Sequence, residues 1–456
     1  MVEWATTESM QNPRRLTGPH ALDLSGFTTR LQLTELPPDQ QIFYRVRFLD
    51  LSDGKTLGEP VSGKFRTAPA SRRSVRFVWG GDTVGQGYGI NPDFGGMRIY
   101  ETMRRVQPDF FLHSGDTIYA DNPVPAEIKL PDGSVWRNLT TAAKSKVAET
   151  LDEFRGAYLY NLIDKNVRAF NAEVPQLWQW DDHEVLNNWS PGTDLSSNAR
   201  YSEKSIALLA ARGTRAFLEH APMAYSPVDA ERVYRKISYG PLLDVFLIDM
   251  RSYRAANSEN RQEAEAPETV FLGEAQIQWL VRELTASRAS WKVIASDMPI
   301  GLVIGDGRDA TGRPRYEAVA NGPGPALGRE LEIARILRSL KEQKVRNMVW
   351  LTADVHYAAA HHYHPDRAKF KDFDPFWEFV AGPLNAGTFG PGQTDETFGV
   401  EVAFYKAPQP GASNLPPSAG LQFFGEVAID PATEAITVQL RDLAGASLYS
   451  KTLTRS

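Results

Sequence analysis

The sequence predicts a layered α/β core with antiparallel members, preceded by a small β-sandwich-like module. Three observations carry this expectation. From about Ser74, apolar runs of strand length alternate with helix-spaced stretches, the pattern of an α/β layered domain. Residues 1–70 lack that alternation, and from Gly420 the chain returns to strand-like runs alone.

In the first 70 residues, segments 28–33 and 41–49 alternate apolar and polar side chains, with a Pro37-Pro38 turn between them. Residues 63–70 read as a closing strand that runs into a linker. The expected division is therefore a module over 1–70 and a larger domain over 71–456. In the core, Ile277, Leu280, Val281 and Leu284 repeat at i, i+3, i+4 and i+7, as do Ile333, Ile336, Leu337 and Leu340. Both sets predict amphipathic helices whose faces pack on a sheet. The tail predicts strands at 421–429, 436–440 and 448–453, with turns at Asp430-Pro431 and Gly445, so the sheet closes with antiparallel members.

Composition bounds the function. A chain of 456 residues exceeds the ~250–300 at which a single core stops growing. Net charge is −6, which gives no broad basic field and so no nucleic-acid signal. Nothing approaches 18 consecutive apolar residues, and no basic segment followed by an apolar stretch opens the chain, so neither a membrane span nor an intact signal peptide is expected. With no cysteine among the 456 residues, a metal can be held only by oxygen and imidazole, ligands that suit Mg, Ca, Mn, Fe or Zn.

Five apolar runs end at acidic residues. They are Phe77-Val78-Trp79 before Asp82, Phe110-Phe111-Leu112 before Gly115-Asp116, Leu177 to Trp180 before Asp181-Asp182-His183-Glu184, Val293-Ile294-Ala295 before Asp297, and Val349-Trp350-Leu351 before Asp354-Val355-His356. Strand ends hold ligands rigidly while remaining open to solvent. Asp116 can bridge two cations and Tyr119 can supply a phenolate, although an aspartate capping a following helix is the plain alternative. Four consecutive ionisable residues at 181–184 are costly to bury unless paired or metal-bound; a solvated loop is the other reading. Asn187 and Asn188 lie close enough to add a neutral oxygen. Asp354 and His356 stand at i and i+2 and point the same way in an extended segment, against the reading of a satisfied core histidine beside a turn aspartate. His361, His362 and His364 read as exposed loop residues. Arg251, after the apolar run 242–248, either binds an anion or pairs with a carboxylate.

Taken together, Gly80-Gly81-Asp82, Gly115-Asp116-Thr117-Ile118-Tyr119, Asp181-Asp182-His183-Glu184-Val185, Ile248-Asp249-Met250-Arg251-Ser252-Tyr253-Arg254, Asp354-Val355-His356-Tyr357-Ala358 and the segment from Phe379 to Gly387 resemble the alkaline phosphatase D (PhoD-like) phosphatases. Those enzymes are similar to purple acid phosphatases and belong with the calcineurin-like metallophosphoesterases. The resemblance implies a two-sheet sandwich flanked by helices, with a fibronectin-III-like N-terminal module that looks short here. By position it assigns Asp82, Tyr119 and His356 to one metal, with Asp116 as the bridging ligand. It places Asp182 or Asn187, Asp297 and Asp354 around a second metal, and His183 where a histidine meets the phosphate. Many PhoD-like enzymes carry a cysteine ligand near the first strand end, where this chain offers only a carboxylate.

The implied cofactors are two or more metal ions. Iron or another transition metal suits the Tyr119/His356 position, and Ca, Mg or Mn suits the all-oxygen one. Paired cations would lower the pKa of a bridging water, and the metal-bound hydroxide would attack phosphorus in line. His183 would then protonate the leaving oxygen, and Arg251 would offset phosphate charge or orient a ligand. The expected activity is phosphomonoester hydrolysis with accompanying phosphodiesterase activity, on a small or polymeric phosphate ester. A dedicated phosphodiesterase or phospholipase-D-like enzyme on the same fold, and a non-catalytic binding protein with a degenerate site, are the competing readings. The resemblance also implies a periplasmic or secreted location, with a cytoplasmic one as the alternative because no signal peptide is read in the chain. Loops 85–96, 123–146 and 301–324, rich in Gly and Pro, are where specificity would reside.

Overall fold

The computed structural model describes residues 1–456 apart from 225 and 227. Two sheets face each other to form the body. The first runs in the order Ser447–Leu453, Ile436–Asp442, Phe423–Ile429, Val75–Gly80, Phe110–Ser114 and Gln176–Gln179. Its last three strands pair in parallel, whereas the C-terminal strands are antiparallel. The second sheet has seven strands, with Leu243–Leu247, Trp291–Ala295, Met348–Thr352 and Phe376–Val380 parallel at its centre and antiparallel strands at both edges. This is the two-sheet sandwich that the resemblance implies, with the antiparallel tail that the sequence predicts.

Period-two alternation explains how each strand serves two layers. Phe77, Trp79, Leu112, Val245, Leu247, Val293 and Val349 point between the sheets and are buried there. Their neighbours Phe246, Ile294 and Trp350 point outward, against the apolar faces of helices Glu274–Ala286 and Glu330–Glu342. Ile277, Leu280 and Leu284, with Ile333, Ile336, Leu337 and Leu340, supply those faces. Burying one such side chain contributes roughly 1.5–3 kcal/mol. Helices Arg98–Arg105 and Lys165–Glu173 cover the outer face of the first sheet in the same way, meeting Val78 and Phe111.

Register brings the parallel strands to a common edge. Gly80 pairs with His113 and Ser114 with Gln179, while Leu247, Ala295, Leu351 and Phe379 align across the second sheet. Two side chains fasten the sheets there: Trp79 Nε1 donates to Thr352 O at 3.2 Å, and Gln179 Nε2 donates to Ile248 O at 2.9 Å and Ala295 O at 2.8 Å. All five acidic strand ends therefore open on one edge of the sandwich.

The N-terminal module is a four-stranded antiparallel sheet in the order Arg14–Leu16, Val2–Ala5, Gln41–Val46 and Val61–Arg66. Buried Glu3 is paired with Arg15 at 2.6 Å and with Arg45. Segment 28–33 does not join this sheet, because its alternating pattern is met by irregular chain rather than by ladder partners. The module is held to the body by Tyr44 Oη donating to Ala172 O at 3.0 Å and by Arg155 donating to Leu24 O at 2.8 Å. The histidine group also departs from expectation. His361 lies on strand Ala358–Tyr363, fully buried, with Nδ1 2.9 Å from Glu378.

Candidate metal centre

Three of the five strand ends turn sharply where they present their candidate ligands. Asp82, Asp116, Asp354 and His356 adopt left-handed backbone conformations with φ of 69°, 52°, 66° and 60°. Such conformations cost of order 1–3 kcal/mol each for non-glycine residues and persist where the surroundings over-determine them. Four of them at one edge of the sandwich mark a site whose geometry is set by the fold. Close packing adds to this, since a Cβ at Gly382 would overlap the Asp82 carboxylate.

Three ligand groups result, each with its donor atoms within 4.8 Å of one another: Asp82, Asp116 and His356; Asp116, Asp182 and His183; and Asp181, Asp182 and Asp354. Asp116 is common to the first two groups and Asp182 to the last two. Tyr119 joins the first, its Oη 2.8 Å from His356 Nε2. Asp116 also receives the His183 backbone N–H at 3.1 Å.

A cation fits these residues by the test of unsatisfied buried atoms. Both oxygens of Asp82, Oδ2 of Asp181 and Oδ1 of Asp182 are buried with no hydrogen-bond partner, an arrangement that is costly for charged oxygens unless something neutralises them. Burial pushes the Asp82 carboxyl up to about 8 and holds Asp116 and Asp354 well above the usual carboxylate range. A bound cation reverses that preference by stabilising the ionised form. His356 is prepared for the same purpose. Burial lowers its pKa to about 4, and its Nδ1 donates to Gly387 O, which leaves the Nε2 lone pair facing Tyr119 and Asp82.

His183 is held differently. Its Nδ1 lies 2.6 Å from Asp121 Oδ1, and its Nε2 is 4.0 Å from Asp182 Oδ1. Burial opposes charge on the ring, but Asp121, Asp182 and Asp116 outweigh it and hold the imidazole pKa well above 6.5. Asp121 also accepts the Asn187 backbone N–H at 3.2 Å, which fixes its orientation. Glu184 braces the turn, taking the Thr117 N–H and Oγ1 at 2.6 Å and the Asp181 N–H at 2.7 Å.

Three expected site residues stand elsewhere. The Asn187 side chain is exposed rather than turned into the cluster. Asp297 is outside the three ligand groups, with Oδ2 3.1 Å from Arg251 Nε. Arg251 is fully buried and paired with Asp181, Asp297 and Glu317. The carboxylate-pairing alternative for Arg251 is therefore the one realised, and no face of its guanidinium is free for a phosphate. The residues that sequence reasoning passed over are Asp181, Asp121 and Glu317. Asp181 sat in the acidic quartet and Asp121 two residues after Tyr119, so both carried a local signal; Glu317 carried none.

Comparison with known proteins places the chain. Residues 77–440 match the family model described as PhoD-like phosphatase, and residues 1–69 match that described as PhoD-like phosphatase, N-terminal domain. Alkaline phosphatase D of Bacillus subtilis (strain 168) is 28% identical over 371 residues, covering 79% of this chain. The chain spans 59% of that relative's length. Among solved structures, one described as the structure of PhoD superposes with a TM-score of 0.69 at 21% identity, over 100% of this chain and 81% of that one. Purple acid phosphatase PPD1 from yellow lupin (Lupinus luteus) seeds gives 0.55 at 13% identity, over 100% of this chain and 69% of that one. These two likenesses concern the fold. Among the described residues, no helix is long and apolar enough to cross a membrane.

Proposed function

Because the chain belongs to the PhoD-like phosphatase family, we propose that it hydrolyses phosphate esters at the edge where the five acidic strand ends converge. The observation that carries this reading is Asp82, fully buried with two unpartnered carboxylate oxygens beside Asp116 and His356. Asp82, Asp116, Tyr119 and His356 would hold iron or another transition metal. Asp181, Asp182 and Asp354 form an all-oxygen set suited to Ca, Mg or Mn. When bound, such cations supply Lewis acidity that lowers the pKa of the attacking water and offsets charge on the phosphoryl oxygens.

The remaining work falls to the chain itself. Asp121 accepts the His183 Nδ1–H and orients the ring, and with Asp182 and Asp116 it favours the doubly protonated imidazolium, whose Nε2–H is the proton that a departing ester oxygen needs. His356 is kept in one tautomer by Gly387 O. The buried surroundings of Asp82 and Asp116 keep bulk solvent from screening the site and would strengthen charge interactions with a bound phosphoryl group. Small or polymeric monoesters and diesters present the same phosphoryl group to these residues, so both classes are proposed substrates.

The test is hydrolysis of 4-nitrophenyl phosphate and bis(4-nitrophenyl) phosphate by the purified full chain. Activity on either ester, lost on exhaustive chelation and in Asp116→Asn, supports the reading. Full activity after both treatments would falsify it. The ratio of the two rates ranks monoesters against diesters.

A further inference from the structure

Behind the all-oxygen ligand group, Asp181 is joined to buried charges, Arg251, Asp297 and Glu317, that the proposed chemistry does not use. Arg251 Nε donates to Asp181 Oδ1 at 2.6 Å and Asp297 Oδ2 at 3.1 Å, and the other side of the guanidinium pairs with Glu317. All four side chains are at most 1% exposed. Asp181 is thereby split between two duties. Its Oδ1 is held by the guanidinium and its Oδ2 has no hydrogen-bond partner, while the residue also belongs to the group with Asp182 and Asp354.

A guanidinium in that position competes with any cation for the same carboxylate, because like charges a few ångströms apart in a dry interior repel strongly. The competition is relieved only if other anions satisfy the arginine. Asp297 faces the Nε edge and Glu317 the opposite edge. Glu317 also stands 3.8 Å from Arg254, a second buried arginine. It follows directly on the short strand Pro314–Tyr316, in a hairpin whose other strand is Gly305–Arg308. Asp306 of that hairpin meets Asn188, whose backbone N–H donates to Asp182. The two consecutive ligands Asp181 and Asp182 are thus each backed, through one intermediary, by the same hairpin.

We propose that Glu317 is a positioning residue: by engaging Arg251 it leaves Asp181 free to serve a cation, and so sets the cation affinity of the Asp181–Asp182–Asp354 group. This rests on reading those oxygens as a cation site. Without the Glu317 charge, Arg251 draws more closely on Asp181 and the cation is held less tightly.

The experiment uses the full chain stripped with a chelator, titrated with Ca²⁺ alone by calorimetry, with melting temperatures taken with and without Ca²⁺. Glu317→Gln keeps the shape and removes the charge. The expected result is an increase in the Ca²⁺ dissociation constant of about tenfold or more, the scale seen when partners behind metal ligands are removed. The Ca²⁺-induced rise in melting temperature is expected to shrink correspondingly. An unchanged dissociation constant, or a melting temperature lowered equally with and without Ca²⁺, overturns the assignment in favour of a packing role. If Glu317→Gln does not fold, Glu317→Asp carries the same test, since withdrawing the charge by one methylene should also weaken binding and a parental affinity overturns the role. A parental chain that binds no Ca²⁺ removes the cation reading itself. A parental chain that binds it beside a variant that binds equally removes only the role of Glu317.

Discussion

His183 Nδ1 and Asp121 Oδ1 stand 2.6 Å apart, both side chains buried, with the opposite ring nitrogen facing the carboxylates of the site. The proton-donating role proposed for His183 would matter most when the leaving group is a poor one. Asp121→Asn is expected to lower kcat on alkyl phosphates by about 10²-fold, the lower end for a positioned acid, and to affect 4-nitrophenyl phosphate much less. Equal losses on both substrates would show that Asp121 acts on folding rather than on the histidine.

Burial pushes the Asp82 carboxyl up to about 8, so keeping it as an anion without a cation beside it is costly. Asp82→Asn removes that burden. In chelated protein the variant is expected to melt above the parent by about 1–2 °C, since ~1 kcal/mol shifts a domain of about 150–250 residues by about 2–4 °C and a longer chain by less. Its hydrolytic rate should fall to that of the chelated parent. Scanning calorimetry and a phosphate-release assay on the same preparations check both halves, and a chelated variant that melts below the parent contradicts the first.

Glu330 titrates away from the site. Burial, with the charge of Asp395 adding to it, pushes its carboxyl up to about 9 from an ordinary 4.5. A folded-state pKa raised above the unfolded one gives stability that is complete below about pH 4.5 and is lost as pH climbs toward 9. Glu330→Gln keeps a neutral group there at every pH. Urea midpoints should therefore favour the variant at pH 8 and converge on the parent at pH 5, and parallel pH profiles would count against this account.

Gly425 faces Trp79 across the first sheet, where a Cβ would run into the indole ring. That ring is fully buried and bonded to Thr352 O, so it cannot retreat. Gly425→Ala is expected to cost about 1–3 kcal/mol, the usual scale of overpacking. Adding Trp79→Leu should recover part of the loss, a non-additivity that a double-mutant cycle by chemical denaturation reads directly.

How much of this was legible beforehand depended on the distance over which each feature is encoded. The helices carrying Ile277 and Ile333 and the tail strands announced themselves by periodicity, because an amphipathic element writes its own face into the chain. Segment 28–33 had the same alternation without a partner strand, and alternation alone does not supply one. At the site, Asp82, Asp116, Tyr119, Asp182, His183, Asp354 and His356 were readable as strand-end ligands, and the structure brings them together. Asp297 carried the same strand-end signature and went instead to Arg251, since a pattern marks where a carboxylate emerges but not which charge meets it.

By itself, the sequence determined the inventory: which strands end in carboxylates, which helices cover them, and a ligand set of oxygen and imidazole imposed by the absence of cysteine. The tertiary structure decided the pairing. It joined Asp121 to His183 from 62 residues away and Glu317 to Arg251 from 66, and it admitted Asp181 to the ligand group from which Asp297 is excluded. The physical reason is that burial raises the energy of every unpaired charge, so partners are chosen by the packing that removes water, and that packing is a property of the assembled sheets.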